Sequence, residues 1–255
     1  MPCAPFRHGR WNGLVDDVFS PHLPQLDTIL QSGTVIVDKP DRIVRRIVLD
    51  GKAYFAKSFL PSGKISDMLK RAVRRPIPFR LWQIHSEMLA KGIGCATPML
   101  AALNSSGEHL FICSEITFPT ARTLLKTLPV DKLPVAITQA ARAMAKLHRA
   151  GFIHGDSLPG NICLDSDGTP AFIDNDRTSR IPSFFQAAAR KRNLLQFCAH
   201  TTFRPEVNNE HYTLFLVEYM KAFVNVTPST ETVAEFIKSV TARIAEIQAQ
   251  NAARK

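Results

Sequence analysis

GFIHGDSLPGNICLDSDGTPAFIDNDRT, Gly151 to Thr178, decides the reading of this chain. Two apolar runs, Ile162 to Leu164 and Ala171 to Ile173, are predicted as short strands. Between them Asp165-Ser166-Asp167-Gly168 carries the Asp-Gly pair that supplies positive φ in a tight hairpin turn. With Asp167 and Gly168 as the central turn residues, the register sets Asn161 directly opposite Asp174. Two oxygen-bearing side chains at the open end of a hairpin suit a hard cation such as Mg²⁺, which takes oxygen ligands and fills its shell with water and substrate phosphates. Asp156 lies one short loop from that position.

The order of these residues adds to the argument. His154-Gly155-Asp156, Asn161 and Asp174-Asn175-Asp176 follow the protein-kinase template of H-R-D, then Asn, then D-F-G, in which the first Asp engages the acceptor hydroxyl and the Asn and second Asp hold Mg²⁺. The Asp156-to-Asn161 spacing is that of the template. A lone H-x-D is weak evidence, whereas the ordered set with a hairpin inside it is specific. The plain alternative makes Asp156 and Asn161 turn residues and Asp174 a cap. His154 reads as a support of the loop, because phosphoryl transfer is positioning plus charge stabilisation.

Upstream, the pattern from Thr34 is β: TVIV, then Arg42 to Leu49, an Asp50-Gly51 turn, and Lys52 to Leu60. Alternation in the last strand places Ala53, Phe55, Lys57 and Phe59 on one face. The Asp50-Gly51 turn sets Lys57 opposite Val44. A lysine among phenyl rings needs an anion, and this one has the position of the strand lysine that holds the α- and β-phosphates of ATP in kinases. An edge-strand lysine reaching to water is the competing reading. No G-x-G-x-x-G occurs, and the turn before Arg42 is Asp38-Lys39-Pro40-Asp41.

Composition bounds the rest. The 255 residues, 45% of them hydrophobic, suffice for one two-lobed domain or two small ones. Five dispersed cysteines with no C-x-x-C pair argue against a disulfide framework or zinc site and for a reducing compartment. No apolar run is long enough for a membrane span, so a cytoplasmic chain is expected. The net charge of +10 favours polyanionic partners, and residues 61 to 80 concentrate it. Without interleaved aromatics, nucleic acid ranks last among them. Residues 1 to 32 show no clear period, although Val15 to Phe19 and Leu26 to Leu30 suggest short helical pieces. Helices are predicted over Leu81 to Lys91, Pro134 to Ala150, Phe184 to His200, Asn209 to Phe223 and Thr230 to Gln248. FPTARTLLKTL between them reads as a polar transition.

YFAKSF, RLWQIHSEMLAKGIGCATP, FICSEI, HGDSLPGNICL, FIDNDR and RKRNLLQF, spread from about Thr34 to about Cys198, together resemble the bacterial lipopolysaccharide core kinases. These enzymes phosphorylate heptose or Kdo sugars and have a protein-kinase-like fold. The resemblance implies an α+β, two-lobed fold, with residues 1–116 as a β-rich lobe and 117–255 as a helical lobe. It implies ATP and Mg²⁺ as cofactors, with Lys57 on the nucleotide phosphates, backbone near Glu115 on adenine, Asp156 on the acceptor hydroxyl, and Asn161 and Asp174 on the metal. The acceptor would be a core glycolipid, met at the anionic face of the inner membrane. Two departures stand out: Leu81 occupies the position where the family often has a Glu to pair with the strand lysine, and Gly155 replaces the Arg of H-R-D. Other readings are a protein or small-molecule kinase of the same fold, and a nucleotide-binding pseudokinase scaffold.

Overall fold

The computed structural model describes residues 3–61, 75–165, 169–180 and 182–253. The chain divides into two compact units, Met1–Ala90 with Ala96–Glu115, and Lys91–Cys95 with Ile116–Lys255.

In the first unit, β1 (Cys3–His8) and β2 (Trp11–Asp16) form a hairpin, a 3₁₀ turn (Ser20–Gln25) leads into α1 (Leu26–Ser32), and β3 (Thr34–Lys39), β4 (Arg42–Leu49) and β5 (Lys52–Phe59) follow. After α2 (Ile77–Ala90), the strands β7 (Pro98–Asn104) and β8 (His109–Ser114) complete one antiparallel sheet in the order β1-β2-β7-β8-β5-β4-β3. The N-terminal hairpin corrects the expectation of helical pieces around Val15 to Phe19. Its strands read poorly because Gly13 interrupts the alternation. That glycine is required: a Cβ there would lie 2.0 Å from the Ala101 carbonyl oxygen of β7. Trp11, Val15 and Phe19 join Leu26 and Ile29 of α1 over the sheet face that carries Ile47, Tyr54, Ile112 and Leu100. Residues of the N-terminal segment thus supply much of this unit's core.

The β4–β5 turn has Asp50 at φ 51 and Gly51 at φ 73, both in the left-handed region that a two-residue hairpin demands. Lys57 accordingly pairs with Val44. On its other side it pairs with Phe111 of β8, so Lys57 stands on an interior strand, which excludes the edge-strand reading. Phe111 stacks edge-on against His85 of α2 at 5.2 Å, placing α2 on the same face as Lys57. Helix α2 begins at Ile77, earlier than expected, and stops before Gly92 at φ +68.

The second unit is mainly helical: α3 (Ala121–Thr127), α4 (Leu133–Arg149), α5 (Ser183–Ala199), α6 (Asn209–Val224) and α7 (Thr230–Ala252). Helix α3 forms where the sequence reads as a polar transition, because the Thr120 hydroxyl accepts from the Thr123 N–H and caps it. Helix α4 buries an apolar stripe that includes Ile137, Ala141 and Met144, and ends at Gly151, φ +86. Short strands carry the loops of interest. β10 (Ile162–Leu164) and β11 (Pro170–Phe172) pair antiparallel, β6 (Gly94–Cys95) adds in parallel, and β9 (Phe152–Ile153) pairs with β12 (Ser179–Arg180).

The β10–β11 register differs by one from the expected one. Ile162 pairs with Phe172, and the ladder closes with the Asp165 N–H on the Thr169 carbonyl at 3.2 Å. Three residues, not two, lie between Asp165 and Thr169, so Asn161 faces Ile173, whose N–H it accepts at 3.0 Å, and not Asp174. The turn residues 166–168 lie outside the described residues, as does most of the basic segment, 62–74.

Candidate active site

The loop after β9 is built on His154. Its ring is 1% exposed; Nδ1 accepts the Asp156 N–H at 3.1 Å and Nε2 donates to the Ile173 carbonyl at 3.0 Å. Those bonds require the Nε2-protonated, neutral tautomer, and burial lowers the pKa of the ring in the same sense. His154 is therefore a strut from the loop of Asp156 to the loop of Asp174. Gly155 allows the two loops to touch: a Cβ at 155 would stand 2.3 Å from the Arg177 Cβ and 2.4 Å from its carbonyl oxygen. No arginine fits there, which explains the H-G-D in place of H-R-D.

Asn161 uses its amide nitrogen to hold this loop, donating to the Asp156 carbonyl at 2.8 Å. Its Oδ1 has no hydrogen-bond donor among the described residues and remains available as a hard oxygen ligand. Asp174 is exposed and left-handed, φ 54, ψ 49. Among the described residues the other non-glycine positive φ angles are Asp50, in a hairpin turn, and Asn225, the C-cap of α6. Asp174 ends no α-helix and turns no hairpin. A conformation of this kind costs on the order of 1–3 kcal/mol and persists where the surroundings impose it. They do so through Asn175, which is buried and donates to the Phe172 carbonyl at 2.9 Å while accepting from the Thr178 hydroxyl at 3.0 Å. That staple sets the 3₁₀ turn Asn175–Arg177 just after Asp174. A carboxylate and an amide oxygen are the donor types that Mg²⁺ takes, with phosphate oxygens and water completing its shell.

In the first unit, Lys57 is half-buried between Val44 and Phe111. Leu81 is a core residue, 1% exposed, and Glu87 accepts from Gln83 at 2.8 Å. Glu115 is heavily engaged. Its N–H donates to the Ala53 carbonyl at 3.0 Å, and its carboxylate takes a two-pronged bond from Arg46, 2.8 Å from Nε and 2.8 Å from Nη2. The guanidinium holds the Glu115 carboxyl below its ordinary range. An adenine contact at Glu115 itself would thus fall to its carbonyl.

Three contributors escaped the sequence reading: Arg46, Asn193 and Gln196. Asn193 is fully buried on α5 and brackets the His154 peptide, accepting its N–H at 3.1 Å and donating to its carbonyl at 2.7 Å. It also accepts from His148 Nε2 at 3.1 Å, and the other ring nitrogen of His148 meets the Tyr219 hydroxyl at 3.0 Å. The one signal in the sequence is a pair of amides, Asn193 and Gln196, on the otherwise apolar NLLQF face of a helix.

No protein-family model and no curated protein matches the chain by sequence. Structures do match. WaaP in complex with acyl carrier protein aligns with a TM-score of 0.63 over 95% of this chain and 98% of that one, at 16% identity. The chain has an α+β, protein-kinase-like fold, with a β-rich N-terminal sheet and a helical C-terminal part. In all, 1866 chains of known structure resemble it, a breadth that leaves the reaction to be argued from the site.

Proposed function

We propose that this protein is an ATP-dependent kinase that phosphorylates a sugar hydroxyl, heptose or Kdo, of the lipopolysaccharide inner core. One observation carries the phosphotransfer reading. Asp156 and Asn161 are held in place through backbone and amide contacts that leave Asp156 Oδ2 and Asn161 Oδ1 without a donor among the described residues, and the left-handed turn at Asp174 sets an exposed carboxylate at the end of the neighbouring strand. The motifs quoted above, which resemble those of the lipopolysaccharide core kinases, support the substrate class, and the likeness to WaaP is one of fold.

In this reading Lys57 neutralises the nucleotide phosphates and Asn161 Oδ1 and Asp174 hold Mg²⁺. The bound ion would spread the negative charge that develops on the transferred phosphoryl group. Asp156 orients the acceptor hydroxyl and takes its proton as that oxygen attacks the γ-phosphorus of ATP in line and the bond to the leaving ADP breaks. Main-chain groups near Glu115 meet adenine. Asp156→Ala is expected to lower kcat about 10²–10⁴-fold while Mg²⁺-dependent ATP binding persists, and Asp174→Ala is expected to lose that binding. Full turnover in either folded variant sinks the assignment. A pseudokinase scaffold would instead bind nucleotide and be indifferent to Asp156. WaaP was solved with acyl carrier protein, so an acyl carrier protein is a candidate partner, tested by co-purification with this chain.

A further inference from the structure

The carboxylate of Asp156 needs a fixed rotation if one oxygen is to meet the acceptor hydroxyl. Nothing adjacent in the chain provides it, since Ser157-Leu158-Pro159-Gly160 contains no cationic or amide side chain. A donor arrives from α5. Gln196 Nε2 lies 2.8 Å from Asp156 Oδ1, and it is the one side-chain donor to that carboxylate among the described residues. The amide cannot turn over without loss, because its Oε1 accepts from the Ser157 N–H at 3.1 Å and from the Ser157 hydroxyl at 3.1 Å. Ser157 is itself buried, and its hydroxyl also reaches the Asn193 carbonyl at 2.9 Å. The Ser157 hydroxyl has one proton to share between the Asn193 carbonyl and Gln196 Oε1, so it is the Ser157 N–H, which can only donate, that dictates which end of the amide faces Asp156.

We propose that Gln196 is the positioning residue of the phosphoryl transfer, locking Asp156 Oδ1 so that Oδ2 alone is presented to the acceptor. Asn193, one helical turn earlier, holds the loop backbone, and Gln196 sets the carboxylate. The inference rests on the kinase reading above and deepens it.

The test compares the wild-type protein with Gln196→Glu and Gln196→Leu, measuring kcat and KM for ATP from pH 5.5 to pH 8 alongside thermal melts. The Glu variant keeps an acceptor for Ser157 but sets a second carboxylate against Asp156. At the alkaline end its kcat is expected to fall on the order of 10²-fold, the loss that accompanies a displaced reacting group, with KM for ATP unchanged. Toward pH 5.5 its activity relative to wild type should climb, as a proton shared by the two carboxyls restores a donor. The Leu variant should be as impaired with no such climb. A Glu variant that matches wild type at every pH overturns the inference, and so does one whose deficit is the same at every pH. Should the Leu variant fail to fold, the Glu variant still decides. A wild-type protein that transfers phosphate to no acceptor overturns the kinase reading itself, and this inference with it.

Discussion

At Gly155 the constraint is volume. Its φ is not in the left-handed region, so conformational freedom is not what the position requires; the backbone of Arg177 occupies the space a Cβ would need. Gly155→Ala therefore has to push the loop of Asp156 away from the loop of Asp174 by a sizeable fraction of an ångström or more. Because a misplacement of about 1 Å costs on the order of 10²-fold in rate, kcat should fall by that order in a protein that still folds, as measured by steady-state assay and circular dichroism. Wild-type kcat in the variant would show that the two loops need not touch. The same closeness was invisible beforehand. H-G-D could be recognised from the sequence, but what displaced the arginine lies more than twenty positions away, at Arg177.

Among the elements, α5 is the platform on which the loop rests, and its link to α4 and α6 is a pH-sensitive one. His148 of α4 is 3% exposed, bonded to Asn193 of α5 and Tyr219 of α6, and burial pulls its pKa from 6.5 down to about 4. The unfolded chain takes up this proton near pH 6.5 and the folded one only near pH 4, so between those values unfolding binds protons and stability falls as pH falls. The loss accumulates to on the order of 3 kcal/mol by pH 4, and the lowered pKa of buried His154 acts in the same direction. Melting temperature should drop between pH 7.5 and pH 4.5, less steeply in His148→Gln. A melting temperature that is flat across that range contradicts the account. Elements also show where sequence reading succeeds. Asp50-Gly51 predicted the β4–β5 register, and with it Val44 as the partner of Lys57, because a two-residue turn is a local device. The β10–β11 register differs by one from the reading because the ladder closes at Asp165 and Thr169, a pairing that the Asp167-Gly168 dipeptide in the sequence did not indicate. The β1–β2 hairpin was illegible because β1 is largely exposed and β2 carries Gly13, whose reason is the neighbouring strand β7. Gln196 and Asn193 are tertiary partners some forty positions from the loop they hold, beyond the reach of any local pattern.

Across the whole molecule the surplus of positive charge has a partly structural explanation. A cavity of about 540 Å³ in the second unit is lined by Lys91, Arg142, Lys146 and Arg149. Lys91 donates to the Ala150 carbonyl at 3.0 Å and Arg149 to the Ala222 carbonyl at 3.2 Å, so both answer carbonyls at the C-terminal ends of α4 and α6. Arg142 is bonded to Glu218 at 2.7 Å. Cations so engaged are what the helix ends need, and the net charge of +10 does not by itself demand a polyanionic partner. No helix among the described residues is long and apolar enough to cross a membrane. The kinase reading consequently stands on the loops of the second unit and on Lys57, and it is tested most directly by incubating purified protein with ATP, Mg²⁺ and deacylated lipopolysaccharide core oligosaccharide and weighing the sugar by mass spectrometry. One added phosphate on a heptose or Kdo residue, absent without Mg²⁺ and absent with Asp156→Ala, is the predicted result. An unmodified sugar from a folded, ATP-binding protein would contradict it.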